Sequence, residues 1–194
     1  MRSVWPSVAG NGDIGILALQ GNVLAHARML HQLGRSARAV YRTADLDGLD
    51  GLILPGGEST TLSLLLRDTG LDRAIADFAR RHPVLGTCAG LILMSTHTDD
   101  DRVPPLGLLE AGVIRNHYGR QRESFIARLD GGHFNGLRAA FIRAPALRVR
   151  DPLEVLATHE GLPVAVRQGR HLGCTFHPEL GRDPRVHACW LGLT

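Results

Sequence analysis

The first half of the chain alternates short apolar runs with longer segments of helical periodicity, and this alternation constrains the fold more than any other feature. The apolar runs are DIGILAL (13–19), ARAVY (37–41), DGLILP (50–55) and PVLGT (83–87). Between them, apolar residues recur at spacings of three and four in NVLAHARMLHQLG (22–34), STTLSLLLRDTG (59–70) and LDRAIADFARRH (71–82). Nearly all-apolar strands that alternate with helices predict a parallel sheet covered on both faces.

The second half has a different character. Between Leu106 and Thr175, Gly, Pro, Asp and Asn turns separate short segments typical of strands, namely VIRN, ESFIARL, LRAAFIRA, EVLATHE, PVAVRQG and HLGCTF. The predicted fold is therefore α/β, a three-layer and mostly parallel sheet with helices on both faces and an added antiparallel section. We expect an N-terminal tail over residues 1–12 and a single domain over residues 13–194, because 194 residues suffice for one core.

Composition excludes several classes of function. The net charge is only +3 and the arginines are scattered, which argues against nucleic-acid binding. No apolar run reaches the ~18 residues of a membrane helix, and three cysteines do not make an even disulfide framework, so we expect a cytoplasmic protein. All 22 basic residues are arginine, which excludes Schiff-base or P-loop lysine chemistry by this chain alone.

Two short patterns contain residues that can bind metal ions, but neither is predicted to be a metal site. The Asp99–Asp101 run is predicted to be a solvated loop rather than a metal site. His171, Cys174 and His177 have a spacing that could suit zinc, but in a strand His171 and Cys174 would face opposite sides. We therefore expect no metal site and no cofactor.

One cysteine lies in a pattern that favours chemistry. Gly86-Thr87-Cys88-Ala89-Gly90 matches the nucleophile elbow, in which a sharp turn between strand and helix exposes the nucleophile. Glycines two residues to either side avoid clashes in that turn, and the free N–H groups of the following helix favour the thiolate. The alternative is a buried structural cysteine, which is the usual role of a lone cysteine.

A base and an orienting group for this nucleophile occur near the C-terminus, in His177-Pro178-Glu179. Pro178 favours an extended conformation at His177, and residues i and i+2 of an extended segment point to the same side. The alternative interpretation of this tripeptide is a surface turn.

The segment LILPGGESTT supplies a third constellation, a strand, the turn Gly56-Gly57 and a helix start at Ser59–Thr61 that suits N-capping. It lacks the lysine of a phosphate loop. A backbone N–H near Gly57 that faced Cys88 across neighbouring strand ends would instead complete an oxyanion hole.

The motifs ILPGGEST, GTCAGL, RNHYGRQ, FIRAP and GCTFHPEL together resemble the glutaminase subunits of pyridoxal 5′-phosphate synthase, which are triad-type (class I) glutamine amidotransferases. The resemblance implies hydrolysis of L-glutamine to glutamate and ammonia, and passage of the ammonia to a barrel-shaped synthase subunit in a hetero-oligomeric complex. It implies that Cys88 attacks the side-chain amide, that His177 transfers the proton and that Glu179 orients His177.

The resemblance also implies the glutamine-binding positions, which fall on Gly56, Gly57, Glu58, Arg115, Ile142 and Arg143. The expected oxyanion hole consists of the Gly57 and Ala89 N–H groups. Two other functions stay open at this point. The chain could be the glutaminase subunit of another amidotransferase, such as imidazole glycerol phosphate synthase, or a scaffold subunit without turnover.

Overall fold

A computed structural model of the chain describes residues 12–115, 117, 124–149 and 153–193. Its strands are β1 (Asp13–Leu17), β2 (Ala37–Val40), β3 (Leu49–Leu54), β4 (Val84–Thr87), β5 (His97–Thr98), β6 (Ala111–Ile114), β7 (Phe125–Arg128), β8 (Arg138–Phe141), β9 (Ala146–Val149), β10 (Glu154–His159), β11 (Leu162–Gln168) and β12 (His171–Cys174). Its α-helices are α1 (Val23–Gln32), α2 (Ser59–Thr69), α3 (Leu71–Ala79), α4 (Ala89–Met94) and α5 (Arg185–Trp190). Short 3-10 helices span Thr43–Leu46, Gly132–Phe134 and Pro178–Leu180.

The central sheet has seven strands in the order β10-β11-β12-β4-β3-β1-β2. The pairs β12-β4, β4-β3, β3-β1 and β1-β2 are parallel, whereas β10-β11 and β11-β12 are antiparallel. The predicted mostly parallel sheet with an antiparallel section is therefore confirmed. HLGCTF was expected in the antiparallel section alone, but β12 is also a parallel neighbour of β4.

The remaining strands form two small sheets, β5-β6-β9 and β7-β8. The sequence did not predict β5 or β9. Both are short, and β9 exists as a strand because it pairs antiparallel with β6 across about thirty-five residues of chain, from Ala111↔Val149 to Ile114↔Ala146. Such a long-range pairing leaves little local signal.

Alternate residues of the inner strands pack on opposite faces of the sheet, as the pleat requires. Ile16 and Ile53 belong to the cluster that contains α1 and α5 side chains, such as Leu30 and Trp190. Leu17, Leu52 and Leu54 belong to the cluster that contains side chains of α2, α3 and α4. Helices therefore cover both faces, and the three-layer arrangement is as predicted.

The predicted break between two helices lies at Gly70, which has φ 70° and links α2 to α3. The predicted cap of α2 is wrong, however. Ser59 is already helical, and the N-cap is Glu58, whose carboxylate accepts the Thr61 N–H at 2.8 Å.

The register of the parallel strands brings three loops to one edge of the sheet. Leu54 pairs with Gly86 and Thr87 pairs with Cys174, so β3, β4 and β12 end side by side. The segments that follow them carry Gly56-Gly57, Cys88 and His177. These residues, far apart in sequence, thus meet at the carboxyl edge, which is where open α/β sheets place ligands.

None of the helices in the described part of the chain combines the length and the hydrophobicity that a membrane span requires. The expected N-terminal tail falls on residues 1–12, of which residues 1–11 lie outside the described part of the chain.

Candidate active site

Cys88 occupies the turn between β4 and α4 with φ 48° and ψ −106°, a strained conformation for a residue other than glycine. The flanking glycines allow this turn. A Cβ at Gly90 would lie 1.8 Å from the Leu54 carbonyl oxygen, and a Cβ at Gly86 would lie 2.4 Å from Met94 Sδ. The local geometry is that of a nucleophile elbow, as the spacing of the glycines predicted.

Backbone contacts hold Cys88 in place. Its N–H donates to the Cys174 carbonyl oxygen at 2.9 Å, and its own carbonyl accepts the Ile92 N–H at 3.2 Å. The sulfur lies 3.8 Å from the Ile142 carbonyl oxygen. Cys88 thus contacts both β12 and the loop after β8.

His177 and Glu179 form a hydrogen-bonded pair, with His177 Nδ1 and Glu179 Oε1 2.7 Å apart. The His177 N–H donates to the Ala140 carbonyl oxygen at 2.9 Å, which fixes the backbone beside β8. The Glu179 side chain is only 1% exposed. The alternative of a surface turn is therefore wrong, because the carboxylate is directed inward.

Contacts among Cys88, His177 and Glu179 shift the pKa values of His177 and Glu179 in the directions that favour their charged forms. Burial alone would lower the pKa of His177, but hydrogen bonds with Cys88 and Glu179 outweigh it and raise that pKa to about 10. Burial would raise the pKa of Glu179, but the His177 hydrogen bond and the nearby His26 lower it. Cys88, His177 and Glu179 therefore form a connected chain in which the imidazolium is favoured.

Cys174 lies beneath the same site and is chemically different. Burial, with the charges of Glu179 and Cys88, raises the pKa of its thiol well above the usual range. A thiol held protonated is a poor nucleophile.

The Gly56-Gly57 turn contacts the triad directly. A Cβ at Gly56 would lie 2.4 Å from His177 Cε1 and 3.3 Å from Cys88 Cβ, so only glycine fits there. Thr87 Oγ1 accepts the Gly56 N–H at 3.1 Å, and Gln20 Oε1 accepts the Glu58 N–H at 2.8 Å.

Sequence reasoning missed Thr87 and Gln20, although both carried a signal. Gln20 follows β1 at the same carboxyl edge, immediately before a glycine with φ 100°. Thr87 is the polar residue that directly precedes the nucleophile. Together they position the turn from two sides.

A cleft of about 240 Å³ opens above Cys88. It is lined by Gly57, Glu58, Ser59, Cys88, Ile92, Arg115, Ile142, Arg143 and His177. Seven of the ten predicted site residues line it. The other three adjoin it, since Gly56 lies against the His177 ring, Ala89 follows Cys88 and Glu179 lies behind His177.

Two opposite charges lie side by side in the cleft. Arg115 Nη2 donates to Glu58 Oε1 at 3.3 Å. Burial would raise the pKa of Glu58, but hydrogen bonds from the Thr60 hydroxyl and from Thr61 lower it to about 2. The cleft therefore presents a carboxylate and a guanidinium together.

The Asp99–Asp101 run lies in a loop, as predicted, with Asp99 and Asp101 exposed, but two of its carboxylates also contact Arg115. Asp99 accepts the Arg115 N–H at 3.1 Å, and the Asp100 carboxylate pairs with the Arg115 guanidinium. Hydrogen bonds from Arg102, then the charge of Arg115, hold the pKa of Asp100 well below its usual range. The acidic run thus positions a cleft residue.

Arg143 follows Ile142 with φ 46°, a left-handed conformation that a side chain rarely adopts. Such strain at a cleft residue is typical of functional sites.

Of the motif RNHYGRQ, only Arg115 and His117 are described. In the described ranges, no three His, Cys, Asp or Glu side chains are grouped to hold a metal ion.

Comparisons with known proteins agree on one family. Residues 16–192 match the model of the SNO glutamine amidotransferase family. The pyridoxal 5′-phosphate synthase subunit PdxT of Geobacillus thermodenitrificans is 48% identical over 183 residues, which cover 93% of this chain and 94% of that protein. The protein of the same name from Thermoplasma acidophilum is 43% identical over 187 residues, with 93% and 92% covered.

Comparison with solved structures agrees with this family and with the fold. A crystal structure of a glutamine amidotransferase superposes with a TM-score of 0.87 at 42% identity and covers 93% of this chain and 97% of that one. The PurLQS structure from Thermotoga maritima has a TM-score of 0.66 at 17% identity, with 92% and 96% covered, and shows the shared fold alone.

Replacing Thr87 by Val should destabilise the protein, because it leaves the buried Gly56 N–H without its acceptor. The expected loss in the free energy of unfolding is about 1–3 kcal/mol, measured by urea denaturation. Thr175→Val is the matched control, since the Thr175 hydroxyl is also buried but has no hydrogen-bond partner among the described residues. Equal losses in the two variants would contradict this role of Thr87.

Proposed function

Because the chain belongs to the SNO glutamine amidotransferase family, we propose that it hydrolyses L-glutamine to glutamate and ammonia as the glutaminase subunit of a pyridoxal 5′-phosphate synthase. The family match and the relatives confirm the resemblance that the sequence motifs indicated. The observation that carries the proposal is the connected chain Cys88–His177–Glu179 beside the cleft.

The first half of the reaction forms a thioester. The Cys88 thiolate attacks the side-chain amide carbon of glutamine, and the carbonyl oxygen becomes an oxyanion. The N–H groups of Gly57 and Ala89 would stabilise that oxyanion. His177 then donates its proton to the departing nitrogen, the C–N bond breaks and ammonia leaves.

The second half releases glutamate. Neutral His177 takes a proton from water, the hydroxide attacks the thioester carbon, and the C–S bond breaks to restore the thiolate. Glu179 keeps Nδ1 protonated throughout, so Nε2 is the nitrogen that exchanges protons with Cys88, ammonia and water. The raised pKa of His177 keeps its ring protonated before attack, so a proton is available for the departing nitrogen.

Arg115 and Glu58 suit the two ends of an α-amino acid. The planar guanidinium can donate two parallel hydrogen bonds to the substrate α-carboxylate, and the Glu58 carboxylate can accept from the α-ammonium. Binding would exchange the 3.3 Å Arg115–Glu58 contact for contacts of each group with substrate. Gly56, Gly57, Ile142 and Arg143 complete the proposed glutamine site.

Ammonia would pass to a partner, the barrel-shaped synthase subunit. Building pyridoxal 5′-phosphate from sugar phosphates needs Schiff-base lysines, and this chain has no lysine. The names of the relatives support this partner over the synthase of another amidotransferase. The Cys88–His177–Glu179 chain argues against a scaffold without turnover.

Glutamate release from L-glutamine tests the function directly. The purified chain, mixed with its cognate synthase subunit, should release glutamate, and Cys88→Ala should reduce the rate by several orders of magnitude because the nucleophile is gone. Cys174→Ala is the matched control, and a folded Cys174→Ala complex should keep activity. No release by a folded, partner-bound wild type would contradict the proposal and favour the scaffold alternative.

Glutamine analogues test the two charged cleft residues. Arg115→Met should lose the preference for L-glutamine over 4-aminobutanamide, which lacks the α-carboxylate, and should raise KM by about 10-fold or more. Glu58→Gln, which keeps an oxygen to cap α2, should instead lose the preference over glutaramate, which lacks the α-amino group. Identical effects of both variants on both analogues would contradict the assigned pairing.

A further inference from the structure

Two buried histidines lie behind the triad, on the side away from Cys88. His26 on α1 and His187 on α5 are both fully buried. His26 Nε2 lies 3.6 Å from Glu179 Oε2, and His26 Nδ1 lies 3.0 Å from His187 Nε2. The chain of contacts thus continues past Glu179, through His26, to His187.

We propose that His26 is a positioning residue for the glutaminase reaction, whose Nε2–H faces Glu179 Oε2 and keeps Oε1 on His177, while His187 fixes the tautomer of His26. This inference rests on the proposed function. It concerns residues that act through Glu179 and do not touch the substrate.

The geometry leaves Glu179 Oε2 and His26 Nε2 facing each other. Both atoms are buried, and neither has a hydrogen-bond partner within the described residues. A separation of 3.6 Å is longer than a hydrogen bond, so the interaction is that of an N–H dipole with a carboxylate charge. In a buried site such an interaction is weakly screened and matters more than at the surface.

The protonation of the two rings follows from their burial. Burial lowers the pKa of His26 to about 4, although Glu179 opposes that effect and His177 adds to it. Burial, with His26 beside it, also lowers the pKa of His187 well below its usual value. At neutral pH each ring is therefore neutral and carries one N–H.

The 3.0 Å contact between the rings requires one proton between the two nitrogens. If His26 donated from Nδ1, its Nε2 lone pair would face the Glu179 carboxylate, which is repulsive. If His187 donates from Nε2, His26 carries its proton on Nε2 and directs it at Glu179. The contacts therefore select the second arrangement, with both donors oriented toward the triad.

This arrangement is useful at one stage of the reaction. While His177 is an imidazolium, it stabilises the neighbouring Glu179 carboxylate. After His177 has given its proton to the departing amide nitrogen, the carboxylate loses that cation, and the His26 N–H remains directed at it. His26 would thus hold the carboxylate in place until His177 is protonated again.

Packing alone does not account for these two histidines. His26 lies on the apolar face of α1 with Ala25, Met29 and Leu30, where an apolar side chain would avoid the cost of burying an imidazole. His187 Nδ1 is buried without a hydrogen-bond partner among the described residues, which adds to that cost. The structure thus keeps two buried polar groups whose donors lead to Glu179.

Three variants of His26 separate positioning from packing, assayed as glutamate release by the complex with the synthase subunit. His26→Leu should lower kcat by about 10–100-fold with KM changed less than about 2-fold. His26→Gln should recover to within about 3-fold of wild type, because its amide nitrogen takes the place of Nε2. His26→Asn reaches only the Nδ1 position and should behave like His26→Leu.

A spectroscopic measurement on the wild type tests the same inference without turnover. Nitrogen-15 NMR of histidine-labelled protein at pH 7 should show His26 as the neutral Nε2–H tautomer, and His187→Leu should mix its tautomers. An Nδ1–H tautomer of His26 would overturn the inference.

The kinetic outcomes are equally distinct. Wild-type kcat in His26→Leu, or equal loss in all three variants, would overturn the positioning role while leaving the proposed function intact. No glutamate release by the wild-type complex would contradict the proposed function itself and the inference with it.

Discussion

The hydrogen bond from the Cys88 N–H to the Cys174 carbonyl oxygen, 2.9 Å long, is the contact on which the site depends. It continues the parallel pairing of β4 with β12 by one residue beyond the end of the strand. It therefore fixes the elbow relative to the segment that carries His177 and Glu179. Residues separated by about ninety positions in sequence are brought into hydrogen-bonding distance by strand register, not by local loop structure.

Steric exclusion then sets the finer geometry. A Cβ at Gly90 would overlap the Leu54 carbonyl, and a Cβ at Gly56 would overlap the His177 ring. Glycine at both positions therefore lets the elbow lie directly against β3 and lets the loop after β3 lie directly against His177. This close packing affects the charges of the triad. Cys88, His177 and Glu179 lie in a mostly buried site where hydrogen bonds outweigh the cost of burying charge and raise the pKa of His177 to about 10.

Much of this arrangement could be predicted from the sequence. Apolar runs and helical periodicity gave the strands and helices of the central sheet, because those signals are local. The spacing of Gly86 and Gly90 around Cys88 identified the elbow, since that turn has no room for a side chain two positions before or after the nucleophile. The resemblance to a family supplied the cleft residues, which are spread over several loops.

The rest depends on contacts that leave no local pattern. Glu58 caps α2 although serine and threonine follow it, because the helix begins at Ser59, one residue earlier than a serine cap at that position would allow. Asp99 and Asp100 belong to a loop, as the sequence predicted, but no local pattern indicated that both would contact Arg115. His26 carried one weak signal, a polar residue within the apolar face of α1, which alone does not say what it faces.

The role of Cys88 as the nucleophile is tested by the rate at which a diazo-ketone analogue of glutamine alkylates each cysteine, measured by mass spectrometry in the complex with the synthase subunit. Cys88 and Cys189 are each 6% exposed and Cys174 is fully buried, so exposure does not favour Cys88 over Cys189. We expect labelling of Cys88 about 100-fold faster than of Cys189, with protection by L-glutamine, because only Cys88 has His177 beside it. Equal labelling of Cys88 and Cys189, or labelling that L-glutamine does not slow, would contradict that role.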